Sequence, residues 1–306
     1  MVGTLIALGI ARLQLRRESL SVNYRHHFHA GNFADVMKHA LFVLLVRAMQ
    51  RKETGFLILD THAGRGGYDL ERASRGDSLE RQPEWPDGIG RLWKRPKSGG
   101  PLEDYLALVR AFNRSAGGPA GPRYYPGSPG LALRLARPQD RLALCEIHPM
   151  DHAALRRSLS GEKRVSVHAK DGYGALRAML PPPEKRALIL IDPPFENKDE
   201  WKRIAEAVRE SLTRFPKGVY AIWYPLTARA GAGEFFRKMG DLKPPPTLAA
   251  ELSINPGAKG LEGCGLLVIN PPWQFETEAA PLLADLAAIL AQAPGAQSRL
   301  LWLVRE

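Results

Sequence analysis

The sequence predicts a doubly wound α/β fold, and two observations carry that prediction. Short apolar runs recur along the chain as FLIL (56–59), LALC (142–145), LILI (188–191), VYAIW (219–223) and LLVI (266–269). Runs of four or five apolar residues are the mark of parallel strands buried on both faces. Helical stretches lie between several of them, at 150–159 and 200–215, and this alternation builds an open, mostly parallel sheet.

A helix precedes the first strand. Asn32 is placed to cap it, and Phe33, Val36, Met37, Ala40, Leu41, Leu44 and Leu45 follow at helical spacing. It ends near Arg51 and Lys52, with Gly55 just beyond. Residues 70–125 break the rhythm: they hold Trp85, Trp93, many turn residues and a short helical pattern around 102–112. With ten Lys or Arg against seven Asp or Glu, they are expected to form a small, mostly helical inserted subdomain, because a compact domain rarely tolerates so long a structureless loop. The expected division is an N-terminal extension over 1–20 and one domain over 21–306. The apolar stretch 2–10 has neither a basic segment before it nor a small-residue cleavage site after it, so an extension is expected rather than a signal peptide.

The chain has 306 residues, and its 43 Lys and Arg against 32 Asp and Glu give a formal charge of +11. Such an excess points to a polyanionic partner, most often nucleic acid. Two distant cysteines, Cys145 and Cys264, form neither a disulfide framework nor a zinc cluster, which suits a reducing cytoplasm. No apolar run approaches the roughly 20 residues that a spanning helix needs, so no membrane is expected.

In an open parallel sheet, ligands sit beyond the carboxyl ends of the strands. After the first strand comes DTHAGRGG (60–67), an acid followed by small residues that let backbone approach a ligand. Its glycines do not fit G-x-G-x-x-G, which counts against a nicotinamide-dependent oxidoreductase. Glu146 ends the second strand, where a carboxylate can accept from both hydroxyls of an adenosyl ribose. Asp171 and Gly172 follow a fourth β-prone run at 165–168; the acid can take an adenine amine or simply form a turn.

The most specific signal is Asp192-Pro193-Pro194-Phe195, directly after LILI. Consecutive prolines stiffen the loop and leave its carbonyls without N–H partners. The Asp192 carboxylate and the Pro193 carbonyl can then both accept from one amino group, with Phe195 as a flat face for a base. An exocyclic base amine is a poor nucleophile, because its lone pair is delocalised into the ring. Two acceptors favour a pyramidal nitrogen aimed at a sulfonium methyl, so catalysis rests on orientation and electrostatics. These residues together predict a Rossmann-like S-adenosylmethionine-dependent methyltransferase sheet. A second loop, Asn270-Pro271-Pro272-Trp273, reads almost the same way. Position in the strand series favours Asp192, since Asn270 falls near the chain end, where such a sheet has an edge hairpin.

The blocks YRHHFHAGNFADVMKH (24–39), LDTHAGRGGY (59–68), RYYPGSP (123–129), CEIHP (145–149), KDGY (170–173), LILIDPPF (188–195) and INPPW (269–273) together resemble the bacterial 23S ribosomal RNA adenine-N6 methyltransferases. The resemblance runs from about Tyr24 to the C-terminus. It implies a monomer that methylates protein-free 23S rRNA or an early assembly intermediate, with S-adenosylmethionine as cofactor and a cytoplasmic location. By the same resemblance Lys38, His39, His62 and Ser128 contact the cofactor, Glu146 holds its ribose and Asp171 with Gly172 its adenine end. Asp192 is then the catalytic acceptor, and Tyr24 lies near the substrate adenine. The chain departs from the pattern in residues 1–20 and in Phe195, where tyrosine is usual.

From the residues alone, His26, His27, His29, His39 and His62 show no metal-ligand spacing, and no metal is expected. Arg25, Arg91, Lys94, Arg95 and Lys97 are candidates to hold phosphates. Guanine N2 or DNA adenine as the target amine, and an RNA-binding protein with a vestigial pocket, remain the alternatives.

Overall fold

The computed structural model describes residues 28–73, 82–96, 99–197, 199–227 and 232–305. Tyr24, Arg25 and Lys97, and with them the N-terminal extension, lie outside the described residues. The first element among the described residues is helix α1 (Phe33–Met49), whose Asn32 side chain accepts from the Asp35 amide at 2.9 Å, as the capping pattern predicts. Every residue of α1 except Arg47 is buried, so it is a central helix rather than an amphipathic surface one.

Strand β1 (Leu57–Asp60) follows, then a short hairpin-like pair, β2 (Gly67–Asp69) and β3 (Tyr124–Pro126), which align antiparallel. Between β2 and β3 run α2 (Leu70–Ala73), α3 (Ile89–Trp93) and α4 (Gly100–Ser115). Ile89, Leu92, Leu102, Tyr105, Leu106 and Val109 of this stretch pack into the same apolar core as α1. Among the described residues the inserted helices therefore share the body's core and are fixed against it.

The remaining elements are α5 (Ser128–Leu135), β4 (Arg141–Cys145), α6 (Pro149–Ser158), β5 (Val165–His168), α7 (Gly172–Met179), β6 (Ala187–Ile191), α8 (Glu200–Arg214) and β7 (Val219–Thr227). After them come α9 (Ala232–Asp241), β8 (Thr247–Ser253), β9 (Leu261–Ile269), α10 (Phe275–Leu290) and β10 (Gln297–Val304). The sheet order is β5-β4-β1-β6-β7-β9-β8-β10. The five strands β5, β4, β1, β6 and β7 run parallel, whereas β9 is antiparallel to both β7 and β8, and β10 is antiparallel to β8.

This order corrects one expectation. The strand before Asn270 is not at the edge: β9 is paired on both sides, and β8 and β10 lie beyond it. Because β9 runs against β7, its carboxyl end lies at the amino edge of the parallel strands. The Asn270 Nδ2 donates there to the carbonyls of Pro216 and Gly218, each at 2.8 Å, in the segment leading into β7. The two look-alike loops thus occupy opposite edges of the sheet. No helix among the described residues is long and apolar enough to cross a membrane.

Candidate active site

At the carboxyl edge of the parallel strands, loops from β1, β4, β5 and β6 meet α1 and α5 around a cavity of about 460 Å³. Lys38, His39, His62, Ser128, Glu146, Asp171, Asp192 and Pro193 all line it. Residues spread over 155 positions of sequence are thereby gathered at one place, as the rule of strand ends requires.

Asp192 leaves β6 with its Oδ2 accepting from the Lys38 ammonium at 2.5 Å. The same ammonium donates to Asp35 Oδ1 at 2.9 Å, and Asp35 Oδ2 accepts the Gly31 amide at 3.0 Å. Lys38 is 4% exposed, and burial by itself would lower its pKa. The adjacent Asp192 and Asp35 carboxylates outweigh that and hold it well above the usual lysine value. Lys38 is therefore a fixed cation that aims one carboxylate into the cavity.

Asp60 ends β1 and is almost wholly buried; Ser128 at the head of α5 donates to it at 2.6 Å, and the His62 amide does so at 3.1 Å. Burial pushes Asp60 from 3.8 up to about 7; the Ser128 hydrogen bond works against this and the Asp192 charge adds to it. The folded value lies above the unfolded one, so Asp60 contributes stability in acid that is lost as pH rises toward about 7. Asp60→Asn should therefore gain melting temperature relative to the wild type as pH goes from about 5 to about 7.5. A difference independent of pH would contradict this assignment.

Glu146 Oε2 accepts from the Gly64 amide at 2.8 Å and Oε1 from the His148 amide at 2.7 Å, and burial raises its pKa. Asp171 caps α7 through Gly174 at 3.0 Å, and its other oxygen accepts from Arg203 of α8 at 3.0 Å. Each carboxylate keeps lone pairs for a ligand, since two oxygens offer about four acceptor sites. His39 Nδ1 lies 2.8 Å from the Tyr125 hydroxyl, and the rings stack at 5.6 Å. His62 sits edge-on to Tyr173 with ring centroids 5.4 Å apart, and burial lowers its pKa to about 4, so it is neutral at pH 7. Among the described residues, no group of three or more His, Cys, Asp or Glu is arranged to hold a metal.

Two predicted site residues do not line the cavity. Phe195 adopts a left-handed φ of 51°, and its ring meets Trp201 at 4.7 Å and Trp223 at 5.7 Å, both edge-on. Gly172 makes a close approach, but to the protein itself: a Cβ there would lie 2.2 Å from the Thr61 carbonyl oxygen. Gly172→Ala should therefore cost about 1–3 kcal/mol of stability by overpacking, seen as a lower denaturant midpoint with an unchanged slope.

The cavity also holds residues that the sequence reading did not single out, among them Asp35, Glu84, Glu200, Arg203 and Trp223. Glu200 and Arg203 stand three apart on α8, just after the DPPF loop, a spacing that puts both on one face. Glu84 joins the inserted stretch to the helix cap, accepting from Asn32 at 2.8 Å and lying 2.9 Å from His29 Nδ1. No motif announces it. Of the proposed phosphate holders, Arg91 already donates to Asp87 and to the Ala291 carbonyl, each at 2.7 Å.

A parallel sheet of this order, continued by an antiparallel strand and carrying acids at successive carboxyl ends over one cavity, is the Rossmann-like sheet of the methyltransferases. The family model for Ribosomal RNA large subunit methyltransferase D, RlmJ, matches residues 53–304. The chain is 38% identical to Ribosomal RNA large subunit methyltransferase J of Escherichia coli (strain K12) over 287 residues, covering 93% of this chain and 100% of that one. It is 39% identical to the protein of that name from Haemophilus influenzae over 271 residues, covering 88% and 94%. Among solved structures, protein LPL1258 from Legionella pneumophila superposes with a TM-score of 0.79 at 38% identity, covering 90% of this chain and 97% of that one. The chain belongs to the ribosomal RNA large subunit methyltransferase J family.

Proposed function

We propose that this enzyme uses S-adenosylmethionine to methylate the exocyclic N6 amine of an adenine in 23S rRNA, acting in the cytoplasm as a monomer on protein-free RNA or an early assembly intermediate. The observation that carries the reading is Asp192, fixed by Lys38 through one oxygen and aimed into a cavity of about 460 Å³. That volume lies within the usual range for small-molecule sites, and its acidic lining suits a cationic cofactor.

S-Adenosylmethionine would supply an electrophilic methyl group on a sulfonium. Glu146 would accept from the ribose hydroxyls, Asp171 at the mouth of α7 would take the adenine end, and Lys38, His39, His62 and Ser128 would frame the remainder. Gly172 acts from behind, holding the β1 and β5 loops in contact. Asp192 and the Pro193 carbonyl grip the two amine hydrogens, which localises the nitrogen lone pair. Asp192 then accepts the proton that the alkylated nitrogen sheds.

The base must leave its stack to reach the loop, so a single-stranded or distorted site is the substrate. Tyr24 belongs near it, and Phe195 offers a stacking surface anchored by Trp201 and Trp223. Phe195→Ala should raise the KM for RNA about tenfold and leave cofactor affinity unchanged, as base–aromatic stacking implies. The test of the reaction is transfer of label from S-adenosylmethionine to protein-free 23S rRNA, followed by digestion and identification of the nucleoside. N6-methyladenosine is expected; N2-methylguanosine would replace the target amine, and the absence of label in RNA would refute the reading.

A further inference from the structure

We infer that the amino edge of the sheet, opposite the cavity, is a second binding surface for the rRNA substrate, built around Trp273. The inference rests on the rRNA reading above. Charge at the cavity does not suit RNA backbone: it is lined by eight Asp or Glu against Lys38 and Arg203, which repels phosphate. The chain nonetheless carries +11, so most of what attracts a polyanion lies elsewhere.

The opposite edge supplies a share of it. The segments 50–56, 136–140, 159–164, 180–186, 215–218, 242–246 and 270–274 enter or leave strands there and hold nine Lys or Arg against four Asp or Glu. Three of the four acids are paired with arginines, Asp140 with Arg137, Glu162 with Arg164 and Glu184 with Arg141. Lys52, Lys185, Lys217 and Lys243 are exposed, and no ion pair among the described residues takes them up.

Trp273 stands on this edge with 77% of its surface exposed, the largest such value among the exposed large apolar residues described. Its position is built rather than accidental. Arg51 lies over its ring at 6.0 Å and donates to its carbonyl at 2.6 Å, while Glu278 holds the same guanidinium. Asn270, at a left-handed φ of 55°, ties three loops together: its amide donates to Pro246 at 2.8 Å, and its side chain clasps Pro216 and Gly218 on either side of Lys217. Lys185 and Lys243 are also left-handed, at 56° and 46°. The segments carry ten prolines, so ordering them on binding costs little.

An exposed indole flanked by rigidly mounted cations is the chemistry that holds an unpaired nucleotide, base on the ring and phosphates on the lysines. The strands separating this edge from the cavity are about 16 Å long, which one folded RNA domain can reach around while its target base is in the pocket.

The test compares two substrates, 23S rRNA and a short hairpin carrying only the target adenine, with Trp273→Ala and the double variant Lys217→Glu/Lys243→Glu. The expected result is a KM for 23S rRNA raised about tenfold with kcat unchanged, and a KM for the hairpin unchanged. The slope of log affinity against log salt should fall by about two for the double variant. Trp273→Phe should restore most of the affinity, which a packing role would not predict. An unchanged KM on 23S rRNA, or an equal rise on both substrates, overturns the inference while leaving the methyltransferase reading intact. If the wild-type protein methylates neither RNA, the rRNA reading fails and this surface with it.

Discussion

Asp192→Ala is expected to slow single-turnover methyl transfer by about a thousandfold or more, while the Kd for S-adenosylmethionine changes by less than about threefold. The reason is geometric. In the proposed reaction Asp192 grips the acceptor amine and takes its proton, both acts that matter in the transition state, and it shares the cavity wall with the other residues proposed to hold the cofactor. The fold should tolerate the change, because Lys38 retains Asp35 at 2.9 Å and is not left as an unpaired buried charge. Asp192→Asn keeps one acceptor oxygen but loses the charge that pairs with Lys38, so its rate should fall between the two. Stopped reactions at saturating RNA, with cofactor affinity measured by calorimetry, separate the two effects. A comparable loss of cofactor binding would move Asp192 from the reaction to the cofactor site.

Lys38→Met is expected to be the most destabilising single change at the site. It removes the one ammonium between Asp35 and Asp192 and leaves two carboxylates with no cation between them. Breaking a buried pair in this way costs about 3–5 kcal/mol, or roughly 5–8 °C in Tm for a domain of this size. In the wild type the lysine's share of this contribution is lost only as pH rises beyond the ordinary lysine range, because its folded pKa is raised. Adding Asp35→Asn should recover part of the loss. Thermal melts of the single and double variants check both stabilities, and a double variant no more stable than Lys38→Met would contradict the second.

The sheet was legible in the sequence where burial on both faces leaves a continuous apolar run. That describes β1, β4, β6, the first half of β7 and the last half of β9. It does not describe β8, whose Ala-rich run carries Glu251, a buried carboxylate accepting from Tyr224 at 2.8 Å and paired with Arg299 of β10. Nor does it describe β10, an edge strand whose residues alternate between exposed and half-buried. The site was legible through its strand-end acids, because a parallel sheet delivers them to one edge whatever the loops between them do. Distant partners were not: nothing local says that Lys38 reaches Asp192 across 154 residues, or that Arg203 returns to Asp171. The mounting of Phe195 was not legible either, since nothing local says that its ring packs edge-on against Trp201 and Trp223. The two proline-proline loops are alike in composition and opposite in consequence, and strand direction alone separates them.

That separation gives the most direct test of the account. Asp192→Ala and Asn270→Ala should be compared in single-turnover transfer from S-adenosylmethionine to 23S rRNA, with both substrates saturating so that weaker RNA binding is not mistaken for lost chemistry. The account predicts near-complete loss of the rate for Asp192→Ala and a rate close to wild type for Asn270→Ala; the reverse pattern would place the chemistry at the other edge of the sheet and contradict it.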